Sequence, residues 1–564
     1  MDDVLRARAN AGLRPLFAAK AVVAAVISVA MTTLPGQAAE PETPSPALSW
    51  STVANNNDTI PGTDKTFNAY NQPSINNGGT VVFRARSKGP ERPERGIFTR
   101  NMATLGPIVV VARGGGGVPA PNNLSATFNE FPSFPRIDLA SKTVAFRGQS
   151  TPVWQTVIDG VETRLGTAGV YTNPGGELLS GAKPLGAVAE FPCFRVPFAT
   201  PVAAAIPFDQ FPGAPSAAGA SRIVFKGNFE VDSVGKTGVF YRLASQPVPV
   251  PCITPAVQII ASSDTRIPNQ PAGETTKFGS TAPPSAARDR VVFYGTDNED
   301  SPTKGGIYLA PLKPKPPLTT IVGIGGAVPG VAGQTFKQFG EGLSFDGRYV
   351  GFWGAWGTAT RTVALACPED GNTAITEECN RQCPGGTCTR AVPVNQGIFV
   401  HDTTTRATRL VARTNTGVYE DFLFWVFSGR PPGVGGGDDG GDDQEPPRWR
   451  SSAFVASAAW APDISKYNVA FKALKSVASG LTGIYLTRGP GNSLTTYDTA
   501  VDTTTAGTAV DPEAPSGSVV ATVGIEREGL RRNSWLAINA SMVDPVTTES
   551  IAGVYVTKVP RILP

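Results

Sequence analysis

Thr80-Val81-Val82-Phe83-Arg84-Ala85 is a short β-branched phrase built around an aromatic, and thirteen residues after Phe83 a second phrase begins, Gly96-Ile97-Phe98. The first phrase returns as TVAFRG at Phe146, RIVFKG at Phe225, RVVFYG at Phe293, YVGFWG at Phe352, NVAFKA at Phe471 and WLAINA at Ile538. The second, Gly-(Ile/Val)-(Phe/Tyr), follows each copy at Gly169, Gly238, Gly306, Gly397, Gly483 and Gly553. Five of the seven gaps between the two phrases fall between 12 and 15 residues. Strict alternation at a nearly fixed spacing is the mark of an internal repeat.

Around this pair the unit fills out to four short strands. An aromatic pair (Phe67/Tyr70, Phe128/Phe131, Phe208/Phe211, Phe336/Phe339) precedes a segment such as Pro73-Ser74-Ile75-Asn76, which reads as strand a. The two phrases are strands b and c, and an apolar run such as that ending at Ala112 or Ala261 is strand d. β-Branched and aromatic runs bounded by Gly, Pro, Asn and Asp are strand signatures. The last unit has Gly553-Val554-Tyr555-Val556 but almost no chain left for its own strand d. Ser51-Thr52-Val53-Ala54, with Ile60-Pro61 after it, looks like that missing strand at the other end of the sequence. The expected fold is therefore all-β: a seven-bladed β-propeller of four-stranded antiparallel blades, closed by an N-terminal strand that completes the last blade.

The composition agrees. The chain has 564 residues with 62 Gly and 51 Pro, and only 17% are charged. Gly and Pro disfavour a helical bundle, and 41% hydrophobic residues exclude a highly charged disordered chain. The net charge is +3, with Arg527, Arg531 and Arg532 interleaved with Glu526 and Glu528. A phosphate-tracking surface needs concentrated positive charge, so no nucleic-acid partner is expected.

Arg6, Arg8, Arg14 and Lys20 precede a short apolar run, Ala21 to Leu34, and Gly36-Gln37-Ala38 supplies small residues. This is the pattern of a signal peptide over residues 1–38, cleaved after Ala38. The run is too short to span a bilayer. The expectation is a secreted or periplasmic protein with no stable membrane insertion after cleavage. Residues 39–564 then form one propeller domain with insertions at about 364–393 and 430–448. Six cysteines suit an oxidising compartment. Cys367, Cys379, Cys383 and Cys388 are expected to pair among themselves, with three connectivities open, and Cys193 with Cys252. The competing use of the four clustered cysteines is a zinc site, but their spacing lacks a pair of C-x2-C knuckles.

Asn76-Asn77-Gly78-Gly79-Thr80-Val81-Val82-Phe83 resembles the N-x-x-G-x-x-A-F motif of bacterial exported tandem-repeat proteins, with Val82 in place of Ala. Ser344-Phe345-Asp346-Gly347-Arg348-Tyr349-Val350-Gly351-Phe352 is similar to the repeat phrase of the propeller domain of the Tol-system periplasmic protein. The resemblance implies an exported propeller. Its motif residues (Asn76, Gly79, Phe83, Phe146, Phe225, Phe293, Asp346, Gly347, Phe352 and Phe471) are structural: Asn, Asp and Gly suit a tight turn between strands a and b.

Residues suited to chemistry are sparse. The single histidine, His401, stands beside Asp402, after a strand c and before a Thr-rich hairpin turn, where the reading as an ordinary loop residue at a strand end outweighs that of a general base. No G-x-S-x-G, H-E-x-x-H or G-x-x-x-x-G-K occurs. Asp438, Asp439, Asp442 and Asp443 in a Gly-rich tract, and Asp297, Glu299 and Asp300 in the fourth unit, offer oxygen ligands suited to calcium without the spacing of a calcium loop. No cofactor is expected, with calcium the one candidate. The reading is a non-catalytic binding or scaffold propeller with a protein or glycan partner. The alternatives are a propeller hydrolase, lyase or lactonase using a carboxylate-bound metal at the channel, with Asn76, Asp138 and Asp346 near it, and a calcium-stabilised adhesin.

Overall fold

A computed structural model describes residues 48–559, apart from 90–92, 122–124, 152–153, 159–160, 166–167, 185–191, 198–205, 246–247, 249–255, 370–372, 429–446, 461–462, 477 and 490–496. The seven repeats fold as seven four-stranded antiparallel blades of a β-propeller. The first blade shows the plan: Phe67–Tyr70 and Ser74–Ile75 pair with Thr80–Ser87, which pairs with Arg95–Asn101, which pairs with Val109–Arg113. Strand a is thus longer than the sequence suggests. The aromatic pair is its first half, facing the far end of strand b (Phe67 opposite Ser87, Tyr70 opposite Ala85), and the serine segment is its second half (Ser74 opposite Val82).

Closure is as expected. Trp50–Asn55 lies antiparallel to Ser550–Lys558, the sheet continuing to Trp535–Val543 and Val519–Gly524. The strand from the start of the chain is the outermost strand of the seventh blade. In a ring of sheets this hides backbone groups that would otherwise template aggregation.

The first six blades are filled by similar aromatic clusters, whereas in the seventh Ile538 replaces the phenylalanine and Tyr555 packs among aliphatic side chains. In the first, Phe67 meets Phe98 edge-on at 5.1 Å and Phe83 stacks on Phe98 at 5.7 Å. Phe336, Phe339, Phe352 and Phe399 repeat the arrangement in the fifth blade, and Tyr419, Phe422, Phe471 and Tyr485 in the sixth. Such pairs contribute about 0.5–1.5 kcal/mol each beyond area burial. The recurring glycine of the second phrase follows from this packing. A Cβ at Gly96 would lie 2.7 Å from Phe98 Cζ and 2.8 Å from the Ala112 carbonyl oxygen, so the ring two residues along occupies the space of a side chain.

Because successive strands are antiparallel, the a–b and c–d turns emerge on one face and the b–c and d–a connections on the other. Both large insertions belong to the second face. The one in the fifth blade is a continuation of strands b and c: Tyr349–Ala366 and Thr387–Asp402 extend as a two-stranded ribbon, Ala366 opposite Thr387, capped by the helix Thr373–Gln382. The one in the sixth blade is a hairpin, Phe424–Ser428 with Arg448–Ser452, that interrupts strand a between the bridge of Asp421 to Leu474 and Val455–Ala459.

Candidate functional site

The second halves of the a strands stand side by side around the axis. Ser74–Ile75 lies beside Arg136–Ile137, then in turn Ser216–Ala218, Ser285–Ala287, Ser344–Phe345 and Val455–Ala459. One register position of this ring, opposite the residue before the strand-b aromatic, carries Ser74, Arg136, Ser216, Ser285 and Ser344, and in the sixth blade Ser457 stands one residue farther along; all six are fully buried. The seventh blade contributes Glu526-Arg527-Glu528 instead, just beyond Val519–Gly524, followed by Arg531.

Apart from Ser285, whose buried Oγ has no partner among the described residues, these groups form one network, which reaches the fourth blade through the Pro283 and Pro284 carbonyls. Arg136 donates from Nε to Glu526 Oε1 at 3.1 Å, and its Nη2 lies 2.9 Å from the same oxygen. Its Nη1 donates to Ser216 Oγ and to the Pro284 carbonyl, both at 2.9 Å. Arg531 donates from Nε to the Ile75 carbonyl at 2.7 Å and pairs with Glu528 Oε2 at 3.0 Å, while the Glu528 carbonyl accepts from Ile75 N–H at 3.1 Å. Arg527 donates to Glu526 Oε1 at 3.0 Å and reaches toward the Pro283 and Glu341 carbonyls at 3.4 and 3.5 Å. Ser344 Oγ donates to the Arg527 carbonyl at 2.7 Å and accepts from Ser457 N–H at 2.9 Å. Ser74 Oγ donates to the Pro135 carbonyl at 3.1 Å.

The electrostatics follow from burial. Glu526 and Glu528 side chains are 3% and 1% exposed. Burial pushes the Glu528 carboxyl above the ordinary glutamate range, against the pull of Arg531 and Arg136. Burial, together with the neighbouring Arg136, pushes the Arg527 guanidinium down to about 10. Low local dielectric strengthens such a network when its members are paired and penalises any member left alone. Both carboxylates are held by guanidinium groups, and what the arrangement does chemically is clamp the blades to one another.

The sequence-selected residues are distributed elsewhere. Asn76, Asp138 and Asp346 are turn residues between strands a and b. Asn76 Oδ1 accepts from Thr80 N–H at 2.9 Å, Asp138 Oδ2 from Ser141 N–H at 2.8 Å, and Asp346 Oδ1 from Tyr349 N–H at 2.7 Å. Gly79 and Gly347 complete two of these turns with φ of +79° and +93°, the left-handed region that glycine favours. Phe83, Phe146, Phe225, Phe293, Phe352 and Phe471 are buried in the blade clusters.

His401 lies within strand c, not beyond it, and its Nδ1 is 2.9 Å from Thr408 Oγ1 on the neighbouring strand. Burial lowers its pKa. Asp402 turns away to Arg348, which donates to its two oxygens at 2.9 and 2.7 Å, so the two neighbours in sequence are not a dyad. Asp297 accepts backbone N–H groups of Thr303 and Lys304 within its own turn, and Glu299 pairs with Arg448 of the sixth-blade hairpin at 3.2 Å. Asp438, Asp439, Asp442 and Asp443 lie outside the described residues.

Disulfides join Cys367 to Cys379 and Cys383 to Cys388. Cys193 is disulfide-bonded, and Cys252 lies outside the described residues. Cys367, Cys379 and Cys383 are buried with Phe427, and Ile375, Cys388 and Trp449 pack against them, so the stapled ribbon tip and the sixth-blade hairpin share one small core. Gln382 Nε2 donates to the Pro447 carbonyl at 2.9 Å across the same contact. The two insertions, 65 residues apart at that bond, form a single raised lobe.

Residues 44–179 match a family of unknown function, DUF7453. No curated protein matches. Among solved structures the chain is similar to a puromycin hydrolase mutant complexed with PGG (10% identity, TM-score 0.34, covering 90% of this chain and 56% of that one). It is also similar to the polysaccharide lyase Uly1 (10% identity, TM-score 0.25, 54% and 58%) and to an α-L-arabinofuranosidase from Podospora anserina in complex with cellotriose (8% identity, TM-score 0.23, 67% and 96%). The chain spans 56% of the hydrolase's length. Among the described residues no helix is long and apolar enough to cross a membrane.

Proposed function

We propose that this protein is a non-catalytic, exported binding propeller that recognises a protein or glycan partner through the face carrying the disulfide-stapled ribbon and the sixth-blade hairpin. The observation that carries the reading is the axial network. The charged groups where a channel enzyme would place its acid, base or metal ligands are 1–3% exposed for the two carboxylates and pair with arginines of the second and seventh blades. A general acid or base must come within hydrogen-bond reach of its substrate, and these oxygens face guanidinium groups. The elaboration lies instead in loops on a rigid scaffold, where recognition is commonly built. The basic, short-cored leader of residues 1–38 and the disulfides support export.

The test is a binding screen of the oxidised chain against arrayed glycans and surface-protein extracts, run beside a variant in which residues 367–386 are replaced by Asn-Gly. Ala366 and Thr387 are paired, so a two-residue turn closes the ribbon in register. Binding by the parent that the variant loses supports the reading. Turnover of an offered glycan or ester, abolished in Glu526→Gln or Glu528→Gln while the fold persists, would replace it with the channel-enzyme reading.

A further inference from the structure

The residue after the aromatic of strand b is a cation in four blades: Arg84, Arg147, Lys226 and Lys472. In the first blade, Arg84 pairs at 2.7 Å with Glu130 of the next blade. In the third, Lys226 acts electrostatically on Glu299 of the next blade. Arg147 of the second blade has no carboxylate partner among the described residues, and burial alone lowers its pKa to about 10; the sixth blade departs from the ion-paired blades in a different way. Lys472 makes no ion pair or side-chain hydrogen bond among the described residues, and two phenyl rings of its own blade stand beside its amine. Its Nζ lies 4.1 Å from the Phe424 ring centroid and 5.8 Å from that of Phe454, the two rings being 6.1 Å apart.

The cage is a product of the inserted hairpin. Phe424 begins its outgoing strand, and Phe454 follows its return, with the Phe454 carbonyl accepting from Lys472 N–H at 3.0 Å. Both rings and the lysine are partly exposed, so the amine is flanked by apolar surface yet can be reached from outside. Rings attract an ammonium only modestly compared with a carboxylate. Desolvation here pushes the amine down to about 8, which leaves a substantial neutral fraction near neutrality. A lysine desolvated in an apolar setting is an activated nucleophile.

We propose that Lys472 is a reactive amine that captures small aldehydes as imines. The neutral Nζ lone pair attacks the carbonyl carbon, one N–H proton passes to the carbonyl oxygen to give a carbinolamine, and the second leaves with that hydroxyl as water as the C=N bond forms. No oxidant or reductant takes part.

The experiment treats the full oxidised chain with limiting glyceraldehyde and cyanoborohydride, which reduces any imine to a stable secondary amine, and maps the modified lysines by peptide mass spectrometry. Lys472 is expected to be modified about tenfold faster than the median lysine, from its larger neutral fraction partly offset by its lower basicity. Lys472→Arg should lose that modification and melt close to the parent. Phe424→Ala, which opens the cage, should slow modification of Lys472 several-fold while the circular dichroism spectrum is retained. Modification of Lys472 no faster than that of exposed Lys558, or an unchanged rate in Phe424→Ala, would overturn the proposal.

Discussion

Arg136 of the second blade and Glu526 of the seventh lie 390 residues apart in the chain and 2.9 Å apart at the axis, both almost fully buried. The pair joins the early and late parts of the sequence at the one place where all blades meet. Removing Arg136 leaves the Glu526 carboxylate in a low-dielectric site with Arg527 as its one cation among the described residues, whereas replacing both members with apolar groups removes two buried charges and takes the carboxylate from Arg527.

Arg136→Met is therefore expected to destabilise the protein by about 3–5 kcal/mol, with much of that loss recovered in the double variant Arg136→Met/Glu526→Leu. Equilibrium urea denaturation of the two variants checks it. A double variant no more stable than the single one would show that the charges hold the blades together by attraction rather than by avoiding an unpaired partner.

Gly96→Ala should cost about 1–3 kcal/mol, because the new methyl group would enter the Phe98 ring and the Ala112 carbonyl. Gly235→Ala, where a Cβ meets nothing within 4 Å, should be neutral or stabilise by about 0.4–1 kcal/mol. Thermal melts of the two alanine variants separate close approach from chain entropy.

His401 is the only histidine, and burial lowers its pKa in the folded chain. The unfolded chain therefore takes up a proton first. The stability His401 contributes is present above the ordinary histidine value of about 6.5 and is lost as pH falls below it. Glu528 has the opposite sign. Its raised folded pKa means that acidification favours the folded state as pH falls toward that pKa. Between pH 7 and 5 the parent should lose stability relative to His401→Gln, whatever the sign of the change the two share. An identical pH dependence in the two would assign the change to other groups.

Replacing Cys383 and Cys388 by serine should loosen the ribbon tip and leave the blades intact. A disulfide closing a short loop contributes on the order of 2–3 kcal/mol, here within the lobe core of Cys367, Cys379 and Phe427. Limited trypsin digestion should then cut at exposed Arg381, while the melting temperature of the propeller changes by little. Loss of the main transition instead would show that the lobe supports the fifth and sixth blades.

The repeat phrases made the architecture legible because each strand carries its own local signal: the Phe83 and Gly96 spacing, the turns at Gly79 and Gly347, and the orphan strand at Val53 and Ala54. The axial network gave no such signal. Its serines are ordinary residues in ordinary strands, and Glu526-Arg527-Glu528 reads as a self-neutralising run unless Arg136 is known to face it. Only the geometry of closure brings them together. The lobe escaped for the same reason. Cys379 and Trp449 belong to insertions of different blades, and neither segment says that the other is its core. The aromatic pair Phe67/Tyr70 was visible, but its place inside strand a depends on pairing with Ser87 and Ala85, which local composition does not specify.

The closing strand also sets a timetable. Ser49 and Thr557, joined by a 2.7 Å hydrogen bond, are 508 residues apart. At ribosomal rates of about 5–20 residues per second, the first of them waits roughly half a minute to a minute and a half for its partner to be made. The ring cannot be sealed before Ser550–Lys558 has been made. Until that strand is made, Trp50–Asn55 lacks its antiparallel partner, and whatever holds the nascent chain in that interval must keep it from pairing with the wrong blade.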